Sequence, residues 1–225
     1  MTPRDTSFVF IIESPSEEDI LDGRTEGRAL SEALRLSNID GWYSLATSKK
    51  MFFKAITERL YQAISNFPNK VPIMHFSMHG DQEGIELTNG DVIKWAELQQ
   101  ALSPLNNALE HGSLICMSSC YGVSGIRMAM NEDTDKPFWA LIGNSKSTQW
   151  NDAAVAYITF YHQLFKGRSL EIIVNAMKIA SGDSNFMLYS GHKVKSDWAS
   201  YMNETRQSNS PNALNDLLQS STQNI

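Results

Sequence analysis

The sequence predicts an α/β domain built on a mostly parallel sheet with helices on both faces. Three observations carry that expectation. Short apolar, β-branched runs recur along the chain and alternate with segments whose apolar residues repeat at helical spacing. Several of these runs, Phe8 to Ile12 and Leu114 to Met117 among them, are continuously apolar, as strands covered on both faces must be. The one clear hairpin signal, Asn89-Gly90 between two extended runs, lies outside that alternation and reads as an insertion.

Taken in order, Phe8-Val9-Phe10-Ile11-Ile12 is a first buried strand ended by Ser14-Pro15. From Arg24 to Ser37, Ala29, Leu30, Ala33, Leu34 and Leu36 recur at helical spacing, and Asn38 is a fitting stop. Trp42 to Ala46 is a second strand. Phe52, Phe53, Ile56, Leu60 and Ile64 form the stripe of a second helix, which must end before Pro68. Val71 to Met78 is a third buried strand, broken by Gly80. Ile85-Glu86-Leu87 and Val92 to Trp95 flank the hairpin turn, and a helix from Ala96 to Leu109 follows, bent or interrupted at Pro104.

Ser113 to Ser118 is the fourth core strand, running into Cys120-Tyr121-Gly122 and a helix near Val123 to Met130. Phe138 to Gly143 is a fifth strand. Asp152 is placed to cap the helix carrying Ala154, Ile158, Tyr161 and Leu164, and Ser169 the next, through Ile172, Ile173, Ala176 and Ile179. Phe186 to Tyr189 is a last short strand. These elements make one domain over residues 1–202. Residues 203–225 are rich in Asn, Ser, Gln and Thr, a composition expected of a flexible tail, with a turn of helix at Ala213 to Leu218. There is no internal repeat.

Bulk composition narrows the function classes. At 225 residues, 42% apolar and 20% charged, the chain is an ordinary globular protein with enough length for one large core. A net charge of −6 disfavours nucleic acid as partner and gives no basic patch for an anionic membrane. No run approaches the roughly 18 apolar residues of a spanning helix. Met1 to Asp5 leads directly into strand-like sequence, so no signal peptide is expected. Cys116 and Cys120 sit four apart in one run. On a strand their Cα atoms would be about 13 Å apart, beyond the roughly 7 Å that a disulfide allows. With no third cysteine, a zinc site is not expected either. Free thiols without an export signal point to the cytoplasm.

In open α/β sheets chemistry gathers at the carboxyl ends of the strands. Two places stand out by that rule: His79-Gly80 after the third strand, and Cys120-Tyr121-Gly122 after the fourth. A thiol becomes a useful nucleophile when a nearby base favours the thiolate, and an imidazole can later protonate a leaving amine. Gly80 lets backbone approach a substrate carbonyl, and its N–H with that of Cys120 would make a two-donor oxyanion site. One Cys and one His do not by themselves make a motif.

The surrounding words add to that pair. Ile73-Met74-His75-Phe76-Ser77-Met78-His79-Gly80 resembles the histidine motif of caspase-like peptidases, and is similar in particular to the bacterial CHAT-type branch. Ile85-Glu86-Leu87 with Asn89-Gly90 and Val92 resembles the hairpin that follows there. Leu114 to Gly122 resembles the nucleophile strand, and Ile142-Gly143, Trp150, Asp152, Phe160-Tyr161, Leu164, Gly167-Arg168-Ser169 and Ala176 match the strand–helix–helix ending. The resemblance covers roughly Ser7 to Gly191. It implies a caspase-like three-layer sandwich with a β-hairpin insertion after the His-Gly strand. It further implies a cysteine endopeptidase using His79 as base and Cys120 as nucleophile on a protein substrate, with no cofactor and no metal. Roles in bacterial immunity or cell death, switched on by a sensor protein or small signal, are implied by the family alone. One departure matters: caspases have Gln-Ala-Cys before the residue and glycine, whereas this chain has Ser118-Ser119-Cys120-Tyr121-Gly122, so aspartate specificity does not carry over.

Other residues have two readings. Arg24 and Arg28 lie broadly where caspases hold an acidic substrate side chain, or are exposed charges opening a helix. Asp152 faces a basic substrate group or serves only as a cap. Tyr121, Trp139 and Trp150 wall a pocket or pack in the core. His75 supports the site from within its strand or packs, and its pairing with His79 as a metal site is disfavoured on a strand. Cys116 is expected to be inert core, His111 a helix-end residue, and His162 and His192 surface residues. A non-catalytic binding module of the same fold is the alternative function. A gated peptidase is a further one, although no phosphate-binding glycine loop occurs, and an α/β-hydrolase is disfavoured because no Gly-x-Ser-x-Gly is present.

Overall fold

Phe8, Val9, Phe10, Ile11 and Ile12 are all fully buried, and a strand buries consecutive side chains only when both of its faces are covered. The computed structural model, which describes residues 3–133 and 135–208, supplies both covers. A helical turn α1 (Pro3–Thr6) leads into β1 (Ser7–Ser14), followed by short α2 (Glu17–Leu21), α3 (Glu26–Leu36) and β2 (Gly41–Leu45). One long helix then runs as α4 (Lys49–Lys54), a π-helical turn (Ala55–Arg59) and α5 (Leu60–Asn66). Next come β3 (Val71–Gly80), the hairpin β4 (Gly84–Glu86) and β5 (Val92–Lys94), α6 (Trp95–Ala108) and β6 (Leu114–Ser118). A 3₁₀ segment (Gly122–Ala129), β7 (Ala140–Asn144), α7 (Trp150–Leu164), α8 (Leu170–Ser181), β8 (Phe186–Ser190) and α9 (Gly191–Ser208) complete the chain.

The main sheet has the order β2-β1-β3-β6-β7-β8. All neighbours are parallel except β8, which runs antiparallel to β7. The β4–β5 hairpin pairs antiparallel with the end of β3, as an insertion after His79-Gly80 should. Strand alternation sorts the core into two layers. Phe8, Phe10, Ile12, Met74, Phe76, Ile115 and Met117 pack with Phe52, Ile56, Leu98 and Leu102 on one face. Val9, Ile11, Ile73, Leu114, Cys116 and Ile142 pack with Leu30, Tyr157, Phe160 and Ile173 on the other. Each large side chain so buried contributes about 1.5–3 kcal/mol.

Several expectations need correcting. β3 runs two residues past Met78 before it ends at Gly80, because β4 offers a new partner at His79↔Glu86 and Gly80↔Ile85. The helix expected near Val123 to Met130 is a 3₁₀ segment, held to short turns by Gly122 and Gly125. Pro104 lies inside α6 without ending it. α7 starts at Trp150 with Gln149 in the cap position, so Asp152 lies in the first turn, where its charge meets the helix dipole, and is not the cap. Ser169 does take the cap position of α8, though its side chain makes no capping bond. α1 and α2 are too short to show a period. α9 carries few apolar residues, so it too escapes a periodicity reading. It extends to Ser208, which makes the first residues of the expected tail helical; the turn of helix expected at Ala213 to Leu218 lies outside the described residues.

One contact ties β7 to the turn after β6. A Cβ placed on Gly143 would lie 2.7 Å from both the Gly122 carbonyl carbon and the Val123 nitrogen, closer than real carbons approach. Gly143→Ala should therefore force these segments apart and lower stability by about 1–3 kcal/mol. A lower urea midpoint at unchanged slope would show it, and an unchanged midpoint would mean that the turn yields freely.

Candidate active site

The two strands that carry the predicted dyad are hydrogen-bonded neighbours. β3 and β6 pair in parallel as Ile73↔Leu114, His75↔Cys116 and Ser77↔Ser118. Side chains on one face recur every second residue, so the next pair in that series is His79 and Cys120. The face turns steadily more polar towards the carboxyl ends. Gly80 closes the gap between the strand ends, since a Cβ there would lie 3.3 Å from the Ser119 Cβ and 3.4 Å from the Cys120 carbonyl oxygen. The structure thus brings His79, Gly80 and Cys120 together.

Beyond Ser118 the chain turns sharply. Tyr121 adopts the left-handed conformation at φ 53°, uncommon outside glycine and asparagine, and its N–H donates to the Lys146 carbonyl at 3.0 Å. Gly122 follows because a Cβ there would lie 2.6 Å from the Met117 carbonyl oxygen. This strained turn lifts Cys120 out of the sheet, half-buried, with Sγ 3.8 Å from the Thr148 carbonyl. Among the described residues the Cys120 N–H has no backbone acceptor. Gly80 pairs with Ile85 in the antiparallel ladder, and because the Asp81 N–H donates to the Gly84 carbonyl, the Gly80–Ile85 pair is the non-hydrogen-bonded kind, in which the Gly80 N–H points away from β4.

His79 has a partner that sequence reading missed. Its Nε2 lies 3.2 Å from Oδ2 of Asp19, a residue of α2 that is almost fully buried. The same oxygen accepts the Ser16 hydroxyl at 2.7 Å and the Trp150 indole N–H at 3.3 Å. Burial pushes the Asp19 carboxyl up, but the hydrogen bonds from Ser16, His79 and Trp150 outweigh it and hold the carboxyl below its ordinary value. The available signal was Ser16-Glu17-Glu18-Asp19, an N-cap serine followed three residues later by an acid. The Asp19 N–H donates to the Ser16 hydroxyl at 3.0 Å, as that pattern requires.

The remaining candidates divide cleanly. Trp150 belongs to the site: its ring meets that of His79 edge-on, with centroids 5.2 Å apart. Arg24 is nearby but engaged, with Nε 3.2 Å from Asp19 Oδ1 and a terminal nitrogen 2.5 Å from Asp22 Oδ2. Tyr121 borders Cys120 in the chain. Asp152 accepts a hydrogen bond from Asn151 and is not joined to the cluster. Trp139 precedes β7 at the amino end of the sheet, away from Cys120; it is exposed rather than core, and walls a cavity there with Val71, Ile73 and Leu114. Arg28 lies over the Tyr43 ring and beside Glu32. His75 is fully buried, hydrogen-bonded to the Tyr161 hydroxyl at 3.0 Å and 3.6 Å from Glu26, so it packs beneath the site. Cys116 is buried and its thiol is pushed up to about 12 by that burial. His111, His162 and His192 are exposed. Among the described residues no group of three or more His, Cys, Asp or Glu is arranged to hold a metal ion, and no helix is long and apolar enough to cross a membrane.

No protein-family model and no curated protein matches this sequence. Solved structures do. A secreted C11 cysteine protease from Bacteroides thetaiotaomicron, in complex with an irreversible peptide inhibitor, superposes with a TM-score of 0.55 at 11% identity, covering 84% of this chain and 67% of that one. The Arg-specific cysteine proteinase gingipain R gives 0.49 at 10% identity over 84% of this chain, which spans only 48% of the gingipain chain. The fold is therefore the caspase-like α/β sandwich.

Two measurements test this geometry. Iodoacetamide at pH 8 should modify only Cys120 of the native chain and both cysteines after denaturation; rapid native labelling of Cys116 would contradict its burial. The depressed Asp19 carboxyl contributes stability that is fully present above its unfolded value, near pH 4, and is lost as pH falls through its lower folded value. The stability gap between wild type and Asp19→Asn in urea should accordingly shrink below about pH 4. A gap independent of pH would mean that the charge of Asp19 does not matter.

Proposed function

We propose that this chain is a cysteine peptidase in which Cys120 is the nucleophile and His79 the general base. The observation that carries it is the parallel β3–β6 pairing, which closes at Ser77↔Ser118 and leaves His79-Gly80 and Cys120 at the same sheet edge, with Gly80 against Ser119 and the Cys120 backbone. The thiol gives its proton to the imidazole, and the thiolate attacks the carbonyl carbon of the scissile bond. The Cys120 N–H, with no backbone acceptor among the described residues, faces the oxyanion as one donor. The Gly80 N–H, which points away from β4, is the second donor of this reading. The imidazolium then protonates the departing amine, and water activated by His79 releases the acyl group from sulfur.

The His-Gly and nucleophile words favour the CHAT-type branch within this fold, and the likeness in fold to the C11 cysteine protease supports the reaction class. The reading takes a protein as substrate, in the cytoplasm, without nucleic acid or membrane as partner. An effector role in antiviral defense or cell death, awaiting a sensor protein or a small-molecule signal, belongs to it through the family resemblance.

Cleavage profiling by N-terminal labelling of a bacterial proteome, with and without candidate activators, tests it. Wild type should generate new N-termini that Cys120→Ala abolishes and His79→Ala reduces by at least about 100-fold. Cleavage that persists in Cys120→Ala would remove the assignment.

A further inference from the structure

The imidazole of His79 has two nitrogens, and only one can be the base. In the neutral ring one nitrogen carries the proton and the other carries the lone pair, and the partner of one decides the state of the other. Nε2 faces Asp19 Oδ2 at 3.2 Å. An ionised carboxylate only accepts hydrogen bonds, so Nε2 must be the protonated nitrogen. Nδ1 then carries the lone pair, and among the described residues no hydrogen bond occupies it. We propose that Asp19 is the positioning residue of this site, accepting the Nε2–H of His79 and so fixing the tautomer whose Nδ1 takes the Cys120 proton. This rests on the peptidase reading above.

The surroundings of Asp19 are built for that task. Oδ2 receives three donors, from Ser16, Trp150 and His79, and Oδ1 faces the Arg24 guanidinium. The carboxylate is thereby oriented from both sides, its side chain only 10% exposed, while the His79 side chain is 42% exposed and open to substrate. Trp150 holds the pair twice: its indole N–H grips the carboxylate and its ring meets the imidazole edge-on. The residues come from three separate segments, α2 and the turn after it, the end of β3, and the start of α7. In the proton transfer Sγ loses its proton to Nδ1, leaving thiolate and imidazolium. The Nε2–H stays on nitrogen, and Asp19 remains ionised throughout. The leaving amine later takes the Nδ1 proton, which restores the starting tautomer.

This accounts for Arg24 as well. Its position after β1 invites comparison with a receptor for an acidic substrate side chain, but its charge is already shared between Asp19 and Asp22. Removing Asp19 would leave it paired with Asp22 alone.

The test is ¹⁵N NMR of histidine-labelled full chain near neutral pH, with the His79 signals identified by their absence in His79→Ala. The expected result for the neutral ring is a protonated Nε2 and an unprotonated Nδ1; a protonated Nδ1, or an even mixture, overturns the proposal. Because this reads the wild type, it does not depend on any variant folding. In Asp19→Asn, iodoacetamide alkylation of Cys120 at pH 6.5 should slow about tenfold, with the His79 tautomer preference weakened; wild-type rate and tautomer together also overturn it. Absence of peptide cleavage by any form, with the Nε2–H tautomer intact in wild type and lost in Asp19→Asn, would instead reject the peptidase reading and leave the Asp19–His79 geometry standing.

Discussion

The whole site hangs on the parallel pairing of β3 with β6. Two strands that run in the same direction end at the same edge, and a register that closes at Ser77↔Ser118 leaves His79 and Cys120 each two residues beyond it at that edge. A slip by one residue would turn one of the two side chains to the opposite face, into the layer of Phe76 and Met117. That register is held by burial: Ile73, Met74, Phe76, Ile115 and Met117 all lie in one or other core layer. The packing energy of the sheet and the alignment of the chemistry are therefore one constraint.

Along this pair of strands polarity rises step by step and is only partly met, since His75 Nε2, Ser77 Oγ and Ser118 Oγ are buried without a hydrogen-bond partner. Ile73 and Leu114 need no partners. His75 and Cys116, one step on, are fully buried, and the Tyr161 hydroxyl bonds the imidazole. Ser77 and Ser118 are small and buried. Only at His79 and Cys120 does solvent reach the row. At Cys116 burial pushes the thiol up to about 12, whereas Cys120, four residues on, is only half-buried.

How much of this the sequence reveals depends on the length of the signal. Strands such as Phe8 to Ile12 and Leu114 to Met117, and the helices of α3 and α7, repeat long enough for their period to be read. The hairpin is legible because Asn89-Gly90 is a two-residue statement of turn geometry. His79 and Cys120 are legible because strand ends in such sheets are privileged places. Asp19 is not, for a physical reason: α2 has five residues, too few for a period, and its acid would serve equally as a solvated first-turn charge. What distinguishes it is contact with Trp150, a residue 131 positions away, and no local pattern encodes that. Arg24 fails for the converse reason, since its sequence position fits a substrate receptor while its partners are Asp19 and Asp22. Trp139 shows that an aromatic beside a strand says nothing of which strand end it occupies.

The position of Asp19 in turn depends on a second buried acid. Glu13, near the end of β1, is fully buried, and its carboxylate accepts the backbone N–H groups of Gly27 and Arg28 and the Tyr43 hydroxyl. Burial works to raise its pKa, and does so on balance despite those hydrogen bonds. Gly27 admits this approach because a Cβ there would already stand 3.0 Å from the Glu13 Cβ. The contact fastens the first turn of α3 to β1 and so fixes where the loop after β1 must end. Its start is fixed by Ser16, which caps α2 and bonds Asp19. With both ends anchored to the same strand, the intervening residues have little freedom to carry the carboxylate away from His79. Glu13 touches neither His79 nor Cys120, yet it fastens the end of the loop that carries Asp19, the residue hydrogen-bonded to His79.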